Sequence, residues 1–170
     1  MCLRLFVLWC CAPLFCWGQK QSEPTRFFEV SGAVKTTITV KLADLSAYQE
    51  HSIEDIVITN HLGEPRSTAT GLKGVLLKDV LSKVEPAAKS PREFSQFALV
   101  CVANDGYTVV YSWNELFNSP VGDQVYLITE QRSERLDAMN DSILMLSASD
   151  FRTGRRFLKA LTRIDFQRLD

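Results

Sequence analysis

Residues 154–166 read Gly154-Arg155-Arg156-Phe157-Leu158-Lys159-Ala160-Leu161-Thr162-Arg163-Ile164-Asp165-Phe166. From Leu158 onward, Leu158, Ala160, Thr162, Ile164 and Phe166 alternate with Lys159, Arg163 and Asp165. Successive side chains of a strand point to opposite faces, so this period of two predicts a long, half-buried strand. The same stretch carries a cationic cluster, since Arg152 lies just ahead of Arg155, Arg156, Lys159 and Arg163.

Upstream, the pattern repeats in shorter pieces. Residues 97–103 form a continuous apolar run, and Asn104-Asp105-Gly106 is a hairpin turn signal leading into residues 107–111. Ser112-Trp113-Asn114-Glu115 has capping-box spacing and predicts a short helix through Phe117. Residues 125–129, 136–138 and 143–146 predict further strands, with residues 130–135 as a hairpin loop. Nearer the N-terminus, residues 28–30 and 37–40 predict strands paired around a Gly32 turn, and residues 42–48 a short helix. Ile56-Val57-Ile58 predicts a buried strand, followed by a long polar loop over residues 60–70. Residues 75–84 put Leu76, Leu77, Val80, Leu81 and Val84 on one helical face, ended by Pro86 and Pro91. The sum is an α+β fold, mostly antiparallel β with two or three short helices, in one domain over residues 27–170.

A chain of 170 residues with 46% hydrophobic and 23% charged residues can bury one sizeable core. A formal net charge of −1 gives no electrostatic reason to bind nucleic acid. Cys2, Cys10, Cys11 and Cys16 all fall within residues 1–18, where Arg4 precedes an apolar run and Cys16-Trp17-Gly18 places small residues at −3 and −1. This predicts a secretory signal peptide over 1–18, a mobile polar leader over 19–26, and export to a periplasmic or extracellular location. The run is shorter than the roughly 20 apolar residues of a membrane helix, so no membrane span is expected. Bulky residues before the candidate cysteines argue against a lipid anchor. After cleavage Cys101 would stand alone, which excludes an intramolecular disulfide.

Three stretches together resemble the molybdopterin-binding domain of sulfite-oxidase-type oxidoreductases. Leu72-Lys73-Gly74-Val75-Leu76-Leu77-Lys78-Asp79-Val80-Leu81 is similar to the family's "W-x-G-V-P-L-x-D-L-L". Ala103-Asn104-Asp105-Gly106-Tyr107, with Trp113-Asn114-Glu115-Leu116 after it, is similar to its "A-x-D-G-Y" hairpin and following helix. Residues 154–164 are similar to its terminal "G-Y-K-S-V-K-W-L-T-R-I". The resemblance implies the family's fold and makes molybdopterin the cofactor to consider.

The departures bear on function. In the family a cysteine thiolate at a strand end, upstream of the "G-V-P-L" helix, ligates molybdenum; here Ile58-Thr59-Asn60-His61-Leu62-Gly63 holds no cysteine. Neither Asn60 nor His61 replaces a soft thiolate. Arg156 stands where the family has a lysine that helps hold the pterin phosphate, and arginine retains the capacity to bind an anion. Arg155, Lys159, Asn60 and His61 complete the candidate binding set. The bland readings stand beside these: a solvated strand face for the cations, and an exposed loop position for His61. Cys101, inside an apolar run, reads as a buried inert thiol. Asp105 is explained by its turn and Glu115 by its cap, so no residue is cast as catalytic and none as a metal ligand. The expectation is an exported, non-catalytic protein without a bound cofactor. It would bind a small anionic ligand or a partner protein between the 60–71 loop and the 152–156 turn. The competing reading is a molybdopterin-dependent oxidoreductase of the sulfite oxidase type.

Overall fold

A computed structural model describes residues 23–169. The expected signal peptide and the first residues of the leader lie outside the described residues. Twelve strands and two short helices follow in order. They are β1 (Phe27–Gly32), β2 (Ile38–Lys41), β3 (Glu50–Ile53), β4 (Ile56–Thr59), β5 (Pro65–Ala69), β6 (Leu72–Leu76) and α1 (Leu77–Val80). Then come β7 (Phe97–Ala103), β8 (Thr108–Ser112), α2 (Trp113–Phe117), β9 (Val125–Gln131), β10 (Glu134–Arg135), β11 (Leu144–Ser147) and β12 (Leu161–Arg168).

The strands form three layers. The first sheet has the order β2-β1-β12-β7-β8, the second β10-β9-β6-β3 with β11 also on β9, and β4–β5 is a separate ribbon. Among the described residues β1 and β12 pair in parallel and every other strand pair is antiparallel. Phe28, Val30, Leu99, Cys101, Ile164 and Phe166 of the first sheet pack against Val75, Leu127 and Met145 of the second. The opposite face of the second sheet, with Leu72, Leu76, Tyr126, Ile128 and Leu144, is covered by Ile56 and Ala69 of the ribbon. The second sheet is therefore buried on both faces, which is why β9 reads as a continuous apolar run rather than an alternation. Among the described residues no helix is long and apolar enough to cross a membrane.

Several expectations hold in detail. β1 and β2 pair with Phe28 opposite Val40, and β7 and β8 form the hairpin around residues 104–106. Both halves of the capping box are present: Ser112 Oγ accepts from the Glu115 amide at 3.1 Å, and Glu115 Oε2 accepts from the Ser112 amide at 2.8 Å. The α+β class is the observed one.

Other expectations are corrected. The helix read over residues 75–84 is strand β6 followed by a single helical turn, α1. β6 is buried on both faces, and a doubly buried strand shows no period of two, so its leucines mimic a helical stripe. Gly74 confirms the strand reading, since a Cβ there would meet the Leu127 carbonyl oxygen at 2.8 Å. The polar loop over 60–70 contains β5, which is exposed from Pro65 to Thr68 and buried at Ala69. Residues 136–138 form a turn, in which the amides of Ala138 and Met139 both donate to the Arg135 carbonyl. The terminal strand begins at Leu161, not Leu158. Ala160 adopts φ 52° and a register shift follows at residues 161–163, so Leu161 instead of Thr162 points into the core. Outside these corrections, the last two residues of the expected leader contact the domain: the Ile143 amide donates to Thr25 Oγ1 at 2.8 Å, and Arg26 Nη1 donates to the Asp137 carbonyl at 3.0 Å.

Candidate functional site

The turn at residues 152–156 meets the tip of the β4–β5 ribbon, and local chemistry fixes how. Asn60 closes the ribbon tip: its Oδ1 accepts from the amides of Leu62 (2.9 Å) and Glu64 (3.0 Å), and its amide donates to Glu64 Oε2 at 2.7 Å. This is an Asx turn, and Gly63 completes the ribbon tip with a positive φ of 93°. On the other side, Thr153 Oγ1 donates to the Val57 carbonyl at 2.5 Å and accepts from the Thr59 amide at 3.2 Å. Gly154 lies directly against the Thr59 carbonyl oxygen, leaving no room for a Cβ. Where a cleft was expected between the 60–71 loop and the 152–156 turn, the turn packs directly on the end of β4, and the junction presents a surface.

That surface presents two guanidinium groups. Arg152 Nη1 donates to the His61 carbonyl at 3.1 Å, and Arg155 Nη2 donates to the same oxygen at 3.0 Å. The Arg155 carbonyl in turn accepts from Tyr107 Oη at 2.7 Å, which ties the turn to the β7–β8 hairpin. Among the described residues neither arginine has a carboxylate within ion-pair distance.

Arg156 faces the other way. Its Nε and Nη2 form a fork with Asp150 at 2.7 and 2.5 Å, and Nη1 reaches Glu115 Oε1 at 3.2 Å. The guanidinium also stacks 4.4 Å from the ring centroid of the buried Tyr111. The hydrogen bonds to Asp150 push its pKa still higher, against the opposing effect of burial. Lys159 pairs with Asp141 at 2.7 Å, beside a cavity of about 320 Å³ that Arg132 and Phe157 also line.

The structure thus brings Asn60, His61 and Arg155 together and holds Arg156 and Lys159 in separate ion pairs. Arg152, read only as part of the cationic cluster, joins the first group. Asp150 and the second role of Glu115 were not read from the sequence. Glu115 caps α2 with Oε2 and meets Arg156 with Oε1, and no sequence spacing links residues 115 and 156.

The residues present do not fit a molybdenum centre of the family's kind. At the strand end the Asn60 side chain is consumed by its turn, and the remaining donors are the buried, unpartnered Thr59 hydroxyl, an imidazole and main-chain carbonyls, none of them a soft thiolate. Cys101 is buried in the main core, and burial pushes its thiol up to about 12, so it is not a thiolate at neutral pH. Among the described residues no three His, Cys, Asp or Glu side chains are grouped to hold a metal.

No family model matches the sequence, and no curated protein does. The fold itself has a solved counterpart. A chain in the crystal structure of the sulfane dehydrogenase SoxCD from Paracoccus pantotrophus superposes with a TM-score of 0.59 over 86% of this chain. The two are 12% identical, and the match covers 40% of the SoxCD chain. The α+β architecture is similar to that of a sulfite-oxidase-like domain, and at this identity the likeness is one of fold.

Proposed function

We propose that the chain is an exported, non-catalytic binding module on a sulfite-oxidase-type scaffold, and that it holds a small oxyanion at Arg152 and Arg155. The observation that carries this reading is the convergence of two guanidinium groups on the His61 carbonyl, with no carboxylate within ion-pair distance among the described residues. Two like charges drawn to one carbonyl repel each other, and an anion bridging them offsets that repulsion. Each guanidinium keeps further N–H donors, whose planar fork matches phosphate, sulfate or molybdate. His61 borders the same surface.

The alternative, a molybdopterin-dependent oxidoreductase of the sulfite oxidase type, is supported by the fold likeness and opposed by the donor set at the ribbon tip. Molybdenum and pterin content separates the two. Protein purified from a molybdate-fed host that makes the cofactor is expected to carry neither. It is expected to gain thermal stability from phosphate, and Arg152→Ala with Arg155→Ala to abolish that gain. Stoichiometric molybdenum would overturn the non-catalytic reading, and an unchanged phosphate shift in the double variant would overturn the anion site.

A further inference from the structure

We propose that a second site, separate from the ribbon tip, binds a small amphipathic monocarboxylate, an apolar body ending in one acid group. The site is a cavity of about 870 Å³ between the start of β1, the turn at residues 42–47, and the β9–β10 hairpin. It shares no residue with the ribbon-tip junction.

Its floor is apolar. Leu45, Val75 and Leu136 are buried there, and Leu42 and Tyr48 are half-buried beside them. Phe27 also lines the cavity with 55% of its surface exposed, although its neighbour Phe28 is fully buried. A concave, mostly apolar pocket of several hundred Å³ with a few charged groups is the usual form of a small-molecule site. An exposed aromatic side chain over such a floor gains contact area when an apolar body fills the space.

The charges in the lining select the head group. Arg26, Lys41 and Arg135 line the cavity, together with the two acids Glu50 and Asp137. Glu50 is fixed in the wall, because Thr129 Oγ1 donates to its Oε1 at 2.7 Å. Arg26 donates to the Asp137 main-chain carbonyl, leaving its other N–H groups to the cavity. Arg135 is within ion-pair distance of Glu130 at 3.8 Å, but Lys73 holds the same carboxylate oxygen more closely at 3.1 Å, and Lys41 has no carboxylate within ion-pair distance among the described residues. Three cations against two acids leave one positive charge. That surplus matches a single carboxylate better than a dianionic phosphate, and the floor requires an apolar body behind it.

Methyl-resolved NMR titration of the purified protein with sodium decanoate tests this, with decanol and sodium butyrate as comparators. Saturable shifts are expected at the methyl groups of Leu42, Leu45, Val75 and Leu136. Ala43→Trp, an exposed position whose indole would fill the mouth, is expected to abolish them. Lys41→Gln with Arg135→Gln is expected to weaken decanoate binding about tenfold, as loss of exposed charge contacts does. Arg152→Ala with Arg155→Ala should leave the titration unchanged, so failure of the ribbon-tip reading would not disturb it. Absence of saturable shifts at these methyl groups would overturn the proposal. Decanol binding as tightly as decanoate would remove the anionic head, and butyrate binding as tightly would remove the apolar body; either result overturns it.

Discussion

Arg155 and Arg156 are neighbours in the chain and opposites in the structure. Arg156 is enclosed, with a side chain 21% exposed and an Asp150 partner 13% exposed, and its guanidinium is engaged by two carboxylates and an aromatic ring. Arg155 is exposed, shares one carbonyl with Arg152, and meets no carboxylate among the described residues. A charge taken out of water must be neutralised by the protein that buries it, whereas one left in water is free for a ligand. Position in the turn, not residue type, decides which arginine holds the fold and which can bind. Arg156→Ala should therefore cost about 3 kcal/mol in urea denaturation, since it strands the Asp150 carboxylate. Arg156→Lys should recover only part of that, because an ammonium cannot form the fork. A loss below about 0.5 kcal/mol would place Arg156 in the same solvated class as its neighbour.

Gly154 is the pivot that separates the two. It packs on the Thr59 carbonyl oxygen, so Gly154→Ala must push the turn away from the ribbon. The expected cost is about 2 kcal/mol, as for other overpacking changes. Hydrogen exchange should report it locally, through faster exchange of the Thr59 amide that donates to Thr153 Oγ1. Unchanged exchange there would mean that the junction is not held by this contact.

The enclosed side of the molecule also has a pH signature. Burial raises the Cys101 thiol from 9.0 to about 12, so the folded protein keeps a proton that the unfolded chain gives up. A raised pKa means that the associated stability is intact below pH 9 and is lost as pH climbs toward 12. Between pH 8 and pH 10 the wild type should lose about 1.4 kcal/mol more than Cys101→Ala does. Equal losses in the two proteins would show that the thiol is reached by solvent.

Much of this architecture was legible in residues 97–117, where hairpin, strand and capping box each have local chemistry that names them. Residues 72–84 were not, because a strand buried on both faces by the ribbon and the first sheet erases its own alternation. The terminal strand was legible in type but offset in register, since nothing in Leu158–Lys159–Ala160 announces the positive φ at Ala160. At the junction, the sequence places cations together but cannot assign their partners. Asp150 and Glu115 reach Arg156 through tertiary packing across 6 and 41 residues, while Arg152 and Arg155 are left to a main-chain carbonyl. The absent thiolate could be read directly, because chemistry missing from a short loop needs no fold to be seen.

Removing the exposed pair should be the mildest change of all in the absence of ligand. Each arginine makes one hydrogen bond to a carbonyl that water can satisfy instead, so Arg152→Ala with Arg155→Ala should alter stability by no more than about 0.5 kcal/mol. The sign itself is informative. At low salt the wild type carries the mutual repulsion of the two guanidinium groups and the double variant does not, so the small difference should shift further toward the wild type as sodium chloride screens that repulsion. Phosphate at matched ionic strength should act differently from chloride. A bound ligand at ten times its dissociation constant stabilises by about 1.4 kcal/mol, and only the wild type should show that gain. If phosphate and chloride act alike on both proteins, Arg152 and Arg155 are a solvated turn, and Arg156 is left as the one arginine of the cluster with a defined role.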